Sequence, residues 1–297
     1  MSPWILAIRP RTLTGAVAPV LVGLAAAWHQ KGYLAVIPAV LCLLFAVLMQ
    51  IDANLFNDWW DCRKGVDTKV PRIGPLRVCA AGLVSMRSML WVIILVSTVA
   101  ATVGISLLLW SARLTAQMPF GAPPPLLFLL VGIACMVSFA AYSTFFSRWA
   151  LGDILVIVFF GFIPVVCTFL LQDMEIKGPQ LWCQALSLGL AADALLICNN
   201  YRDREGDSLV GKHTLCTLVG EHVSEWLYLL TGVTAALLAT DFDNAWSWLL
   251  VIYLAMHLRA YRRLVTIKKG TRLNEVLAAS AQNILVLALI ICLSSIL

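Results

Sequence analysis

Residues 34–61 read L-A-V-I-P-A-V-L-C-L-L-F-A-V-L-M-Q-I-D-A-N-L-F-N-D-W-W-D, with no charged residue before Asp52. A helix needs about 20 mostly apolar residues to cross a bilayer, and residues 34–57 supply them. The end of the segment is unlike an ordinary helix terminus. Asn54, Asp58 and Asp61 stand at i, i+4 and i+7, which places them on one stripe at 3.6 residues per turn. Carboxylates at a helix C terminus meet the negative end of the peptide dipole and are unfavourable without a compensating cation. The helix therefore ends in a demand for positive charge.

The same pattern recurs later in the chain. Residues 181–200 form another apolar segment, followed by N-N-Y-R-D-R-E-G-D over 199–207, with Asn199, Asp203 and Asp207 at i, i+4 and i+8. Between and around the two lie further apolar runs, at roughly 13–28, 88–110, 125–145, 153–172, 224–240, 245–264 and 275–296. The expected fold class is an all-α, polytopic membrane helical bundle of about nine transmembrane helices, formed by residues 1–297 as a single domain. Composition agrees. The chain is 61% hydrophobic and 12% charged, against about a quarter charged in a soluble domain.

Basic residues concentrate in loops that stay in the cytoplasm. If nine helices start from a cytoplasmic N terminus, every Lys and Arg falls on the cytoplasmic side except Lys31, Arg113 and Lys177. Both acidic motifs then lie at the cytoplasmic face of the plasma (inner) membrane, and the C terminus is external. The first apolar run follows Arg9 and Arg11 but no small-residue cleavage site follows it, so it reads as a retained helix. No basic run is long enough for nucleic acid. The nine cysteines contain no C-x-x-C pair and read as small buried hydrophobes.

Oxygen donors of this kind suit a hard cation, and Mg²⁺ takes one or two carboxylates and fills its shell with water and phosphate oxygens. A diphosphate substrate supplies such oxygens. Asn54, Asp58, Asp61, Asp203 and Asp207 are the candidate metal ligands, and the four carboxylates among them are the candidate catalytic groups. Lys64, Arg72 and Lys212 stand beside them as phosphate contacts. Glu205, Arg202 and Arg204 read as solvated loop residues. Asp52 and Asp193 lie deeper in apolar sequence, where ionisable groups are either functional or hydrogen-bonded in packing.

The motifs resemble the UbiA superfamily of intramembrane aromatic prenyltransferases, and within it the MenA-type subfamily that prenylates 1,4-dihydroxy-2-naphthoate in menaquinone synthesis. The resemblance runs through I-R-P-R-T-L-T-G-A-V-A-P-V-L-V-G (8–23), N-L-F-N-D-W-W-D-C-R-K-G-V-D-T (54–68), R-I-G-P-L-R (72–77) and N-N-Y-R-D-R-E-G-D-S-L-V-G-K-H-T-L (199–215). It implies Mg²⁺ ions bridging the two acidic motifs through a polyprenyl diphosphate, an aromatic acceptor, and a pocket under cytoplasmic loops. It also implies an amide partner in the second motif, Asn200 ahead of Asn199. Tyr142, Phe56 and Tyr201 are candidate aromatic faces for an allylic cation. Where the subfamily carries a Gly-rich stretch and L-G-E, this chain has Y-S-T-F-F-S-R-W-A-L-G-D (142–153), with Asp153 in the place of the Glu and Arg148 as a further phosphate contact. That departure bears on the acceptor, so 4-hydroxybenzoate or homogentisate is the alternative within the fold. An ion-coupled transporter is the alternative outside it, although such carriers place coupling residues near the midplane. Oligomeric state and prenyl chain length are not encoded in these patterns.

Overall fold

A computed structural model describes residues 2–65, 73–74, 76–117, 124–144, 150–173, 175–209, 211–241 and 244–297, the side chains of 139–144 excepted. Among these residues there is no strand. The helices are α1 (Pro3–Ile8), α2 (Pro10–Lys31), α3 (Val36–Lys64), α4 (Met86–Gln117), α5 (Pro125–Thr144), α6 (Gly152–Ile157), α7 (Ile163–Leu170), α8 (Gln180–Leu209), α9 (Leu215–Ala239), α10 (Leu250–Ile267) and α11 (Leu273–Ile296). A π-helical turn at Val158–Phe162 joins α6 and α7 into one rod. Its cause is local: Pro164 has no N–H to return to the preceding turn, and a π turn absorbs the interruption.

Every expected segment falls on a helical rod, in the expected order. Six rods are long and apolar enough to cross a membrane: α2, α3, α4, α6–α7, α8 and α11. Length and composition therefore establish six of the nine expected spans. In α5 the part whose side chains are described, Pro125–Ser138, is apolar. In α9 the sequence carries Glu221, His222 and Glu225, and in α10 His257, Arg259, Arg262 and Arg263, which lower the apolar content of those two rods.

The rods form a ring. α2 packs on α3, α3 on α4, α5 on α3 and α4, and the α6–α7 rod on α2 and α8; α8, α9, α10 and α11 follow in turn, and α11 closes on α2. Small residues let these backbones approach closely. A Cβ at Gly161 would lie 2.4 Å from the Ala185 carbonyl oxygen and 2.7 Å from the Gly189 Cα, so α6–α7 and α8 touch through their glycines. Around the outside, Trp91, Leu95, Leu109, Leu126, Leu237 and Val251 are all more than half exposed. In water an apolar belt of this extent would drive association; in a bilayer it is the matching surface. The chain is a multi-pass membrane protein.

Candidate active site

The acidic end of α3 is tied down from two sides. Asn54, buried, donates from Nδ2 to the Ile8 carbonyl at 2.9 Å and to Thr12 Oγ1 at 2.9 Å. It thereby pins the joint between α1 and α2, where Arg9 has a positive φ. Asp58 is fully buried, and its two oxygens accept the backbone N–H groups of Val78 (2.9 Å) and Cys79 (3.0 Å). That grip fixes the segment carrying Arg77, whose guanidinium is paired with Asp61. Asp61 itself keeps 26% of its side chain exposed. The stripe expected to act as one unit is thus divided: Asn54 and Asp58 are engaged by backbone, and Asp61 reaches the open end.

The end of α8 is organised around Arg202. Expected as a solvated base, this residue is 4% exposed. Its Nε donates to Asp203 Oδ1 at 2.7 Å and its Nη2 to Asp203 Oδ2 and to Asn199 Oδ1, the latter at 2.9 Å. Nη1 donates to Asn274 Oδ1 on α11 at 2.9 Å, and Asn274 Nδ2 donates to the Ile73 carbonyl at 3.0 Å. Asp207 pairs with Lys212 at 3.2 Å. The side chains of Asp203 and Asp207 are 30% and 14% exposed, and Asn200 is buried in α8. Arg204 is likewise no free loop base. It contacts the Tyr201 and Lys268 carbonyls and pairs with Glu221, which also meets Lys268 at 3.1 Å. Burial alone pushes the Glu221 carboxyl up, but the hydrogen bonds from Lys268 and Arg204 outweigh it and hold the group below the usual carboxylate range.

The two acidic ends are therefore connected. The segment that Asp58 and Asp61 hold by Val78, Cys79 and Arg77 is held again at Ile73 by Asn274, and its Gly74 lies against the Arg202 guanidinium. Arg72 and Arg148 lie outside the described residues, as do Asp67 and Lys69. Lys64, expected on phosphate, rests its Nζ 5.0 Å over the Trp60 ring.

Beneath the acidic end lies a cavity of about 330 Å³. Gln50, Asn54 and Asn57 form its polar mouth; Asn57 was not singled out by the stripe because it sits between the periodic positions. Below them the walls are apolar, from α2, α3, α4, α5 and the α6–α7 rod, and reach Cys42 and Leu171. From Asn57 down to Cys42 the helical rise gives a depth of about 22 Å. A second, shallower groove between α5 and α7 shares Val131, Ile163 and Cys167 with it and so continues the path outward. The aromatic groups in the walls are Phe45, Phe128, Phe159 and Phe160. Two of the expected aromatic shields, Phe56 and Tyr201, are elsewhere. Phe56 stacks on Trp60, and Tyr201 is fully buried with its hydroxyl donating to Glu225 at 2.8 Å. The Tyr142 side chain is outside the described set.

Of the deeper acids, Asp52 accepts a hydrogen bond from Ser97 of α4, while Asp193 and Asp153 are hydrogen-bonded to one another between α8 and α6. All three thus form hydrogen bonds to a neighbouring helix.

The donor set at the mouth consists of oxygen atoms only. Among the described residues, no three His, Cys, Asp or Glu side chains converge to cage one ion. Separate carboxylates, each beside a base, fit a hard cation that arrives with an anion and completes its shell from phosphate oxygens.

Comparison with known proteins agrees with this architecture. The chain is similar to the 1,4-dihydroxy-2-naphthoate octaprenyltransferase of Escherichia coli (strain K12), with 33% identity over 257 residues, covering 84% of this chain and 80% of the relative. It is 31% identical over 295 residues to the enzyme of the same name from Mycobacterium tuberculosis, covering 97% and 94%. Its fold resembles that of an apo UbiA homologue from Aeropyrum pernix K1, with TM-score 0.65 at 13% identity over 94% of this chain and 97% of that one. It also resembles a UbiA homologue from Archaeoglobus fulgidus bound to GPP and Mg²⁺, with TM-score 0.63 at 14% identity over 98% and 99%. The UbiA prenyltransferase family model matches residues 16–286, and with that extent of match the chain belongs to the UbiA prenyltransferase family.

Proposed function

We propose that the protein transfers a polyprenyl group from a polyprenyl diphosphate to 1,4-dihydroxy-2-naphthoate, with loss of CO₂ and diphosphate, as a Mg²⁺-dependent step of menaquinone synthesis. The observation that carries the proposal is a deep apolar cavity whose polar residues Gln50, Asn54 and Asn57 lie on the helix that ends in the first acidic motif, with the second motif tied to that end through Asn274 and Ile73. A polyprenyl diphosphate has the same division between an apolar chain and an anionic head. The acceptor is assigned from the curated relatives, which share that substrate in their names.

Asp61, Asp203 and Asp207 are the proposed metal ligands, since their carboxylates reach the open end. Bound there, Mg²⁺ would supply Lewis-acid neutralisation of the diphosphate leaving group. Asp58 acts through the turn it holds, which carries Arg77 to the same place. Arg77 and Lys212, which stand beside Asp61 and Asp207, would contact phosphate. Arg72 and Arg148, outside the described residues, are proposed as further phosphate contacts. Asn54, Asn57 and Asn200 orient the head group. Cleavage of the C–O bond leaves an allylic cation, which the walls keep from water; the electron-rich ring forms the new C–C bond and loses its carboxylate as CO₂. Phe45 and Phe160 present aromatic faces along that path.

Purified protein with Mg²⁺, octaprenyl diphosphate and either 1,4-dihydroxy-2-naphthoate or 4-hydroxybenzoate tests the assignment. Prenylated product and CO₂ are expected from the naphthoate. Product from 4-hydroxybenzoate alone would transfer the assignment to the other acceptor, and product from neither would remove it. We further propose a cytoplasmic N terminus and acidic mouth in the plasma membrane, with an external C terminus. A C-terminal alkaline phosphatase fusion is then active, and an inactive fusion inverts the orientation.

A further inference from the structure

We propose that Arg202 is a positioning residue for the transfer reaction: its buried guanidinium holds Asp203 in ligand geometry and locks the two acidic motifs into one site. The inference rests on the metal–diphosphate reading above, but concerns a residue that reading does not use. Two of its nitrogens grip both oxygens of Asp203, the same Nη2 reaches Asn199, and Nη1 reaches Asn274. Asn274 passes the connection to the Ile73 carbonyl at 3.0 Å.

The opposite face of the guanidinium is covered by the segment that belongs to the first motif. A Cβ built on Gly74 would stand 2.9 Å from Nη2 and 3.3 Å from the central carbon, so a larger residue there requires the guanidinium to shift. Three residues on, Arg77 pairs with Asp61 of α3. The planar fork of arginine thus has one acidic arm in its plane and the lid of the other arm on its face. A lysine keeps the charge but has neither the second donor direction nor the flat surface.

The experiment uses the full chain in detergent, with Mn²⁺ read by electron paramagnetic resonance in the presence of inorganic pyrophosphate, beside thermal melting. Arg202→Lys is expected to weaken Mn²⁺–pyrophosphate binding by about tenfold or more, the loss of a charge-assisted double hydrogen bond. Gly74→Ala leaves every charge and the sequence of α8 unchanged, displaces the Arg202 guanidinium from the loop side, and is expected to act in the same direction. It answers the question even where the lysine variant does not fold. Leu287→Ala, a fully buried site in a separate apolar cluster, serves as the control for general destabilisation. Wild-type protein that binds no Mn²⁺ with pyrophosphate overturns the reading of the site. Wild-type binding retained in both variants, or lost only in proportion to melting temperature as in the control, overturns the role of Arg202.

Discussion

Asp58 and Asp203 differ in what claims their oxygens. Asp58 is sealed and serves two backbone N–H groups, whereas Asp203 is partly open and shares its position with water. The same change at both, Asp→Asn, should therefore have two different outcomes. In Asp58→Asn the new amide NH₂ faces one of the two N–H groups, leaving a buried donor unpaired at a cost of roughly 1–3 kcal/mol. A lowered melting temperature is expected, with turnover falling alongside it. In Asp203→Asn one of the two hydrogen bonds from the buried Arg202 is lost, but turnover should fall roughly a hundredfold or more, well beyond any loss of melting temperature, because charge opposite the leaving group is what the site supplies. A wild-type melting temperature in Asp58→Asn would remove the structural assignment of Asp58. Periodicity on α3 correctly put Asn54, Asp58 and Asp61 on one face, yet it carries no information about which distant segment returns to that face. Val78 and Cys79 claim Asp58, and Ile8 claims Asn54, through tertiary contacts that no local pattern encodes. Arg202 was unreadable for the same reason: a base beside an acid in sequence looks solvated until a glycine from another loop covers it.

Helices and their order were legible because each apolar run is long and each connection polar or rich in turn residues. Their internal breaks were not. The run at 153–172 reads as continuous, and the π turn at Val158–Phe162 follows from Pro164 together with the contact between Gly161 and Gly189. At α9, Gly220 has φ 81 and ψ 178, a conformation open to glycine alone. The break explains why the apolar segment begins at about 224 although helical residues start at Leu215. The glycine contact gives a prediction at this scale. Gly161→Ala sets a methyl into the backbone of α8, which has no flexible side chain there to yield. Separation of the two rods should cost on the order of 1–3 kcal/mol, read as a lower melting temperature. Gly132→Ala, at a position with open space around it, should melt as wild type. Equal behaviour of the two variants would mean that α6–α7 and α8 are not held at glycine distance.

The closing of α11 onto α2 brings the two ends of the described chain into one wall, a relation between segments that composition and loop charge leave open. The cavity is likewise a property of the whole ring: its lining comes from five rods, and each lining residue taken alone looks like any other lipid-facing one. For that reason the tail site was invisible in the sequence although the head-group site was not. Its geometry nonetheless sets a measurable limit. Ala46 lies on the wall eleven residues below Asn57, or about 16 Å along the helix. Ala46→Phe places a ring across the cavity below the mouth, with the acidic site untouched. Short allylic diphosphates should still be transferred at close to the wild-type rate, whereas octaprenyl diphosphate should lose at least tenfold in kcat/KM, a loss of about 1.4 kcal/mol. The ratio of products from a mixture of geranyl and octaprenyl diphosphates checks this directly. An unchanged ratio would mean that the chain runs elsewhere, along the outer groove between α5 and α7 and not down the axis of the ring.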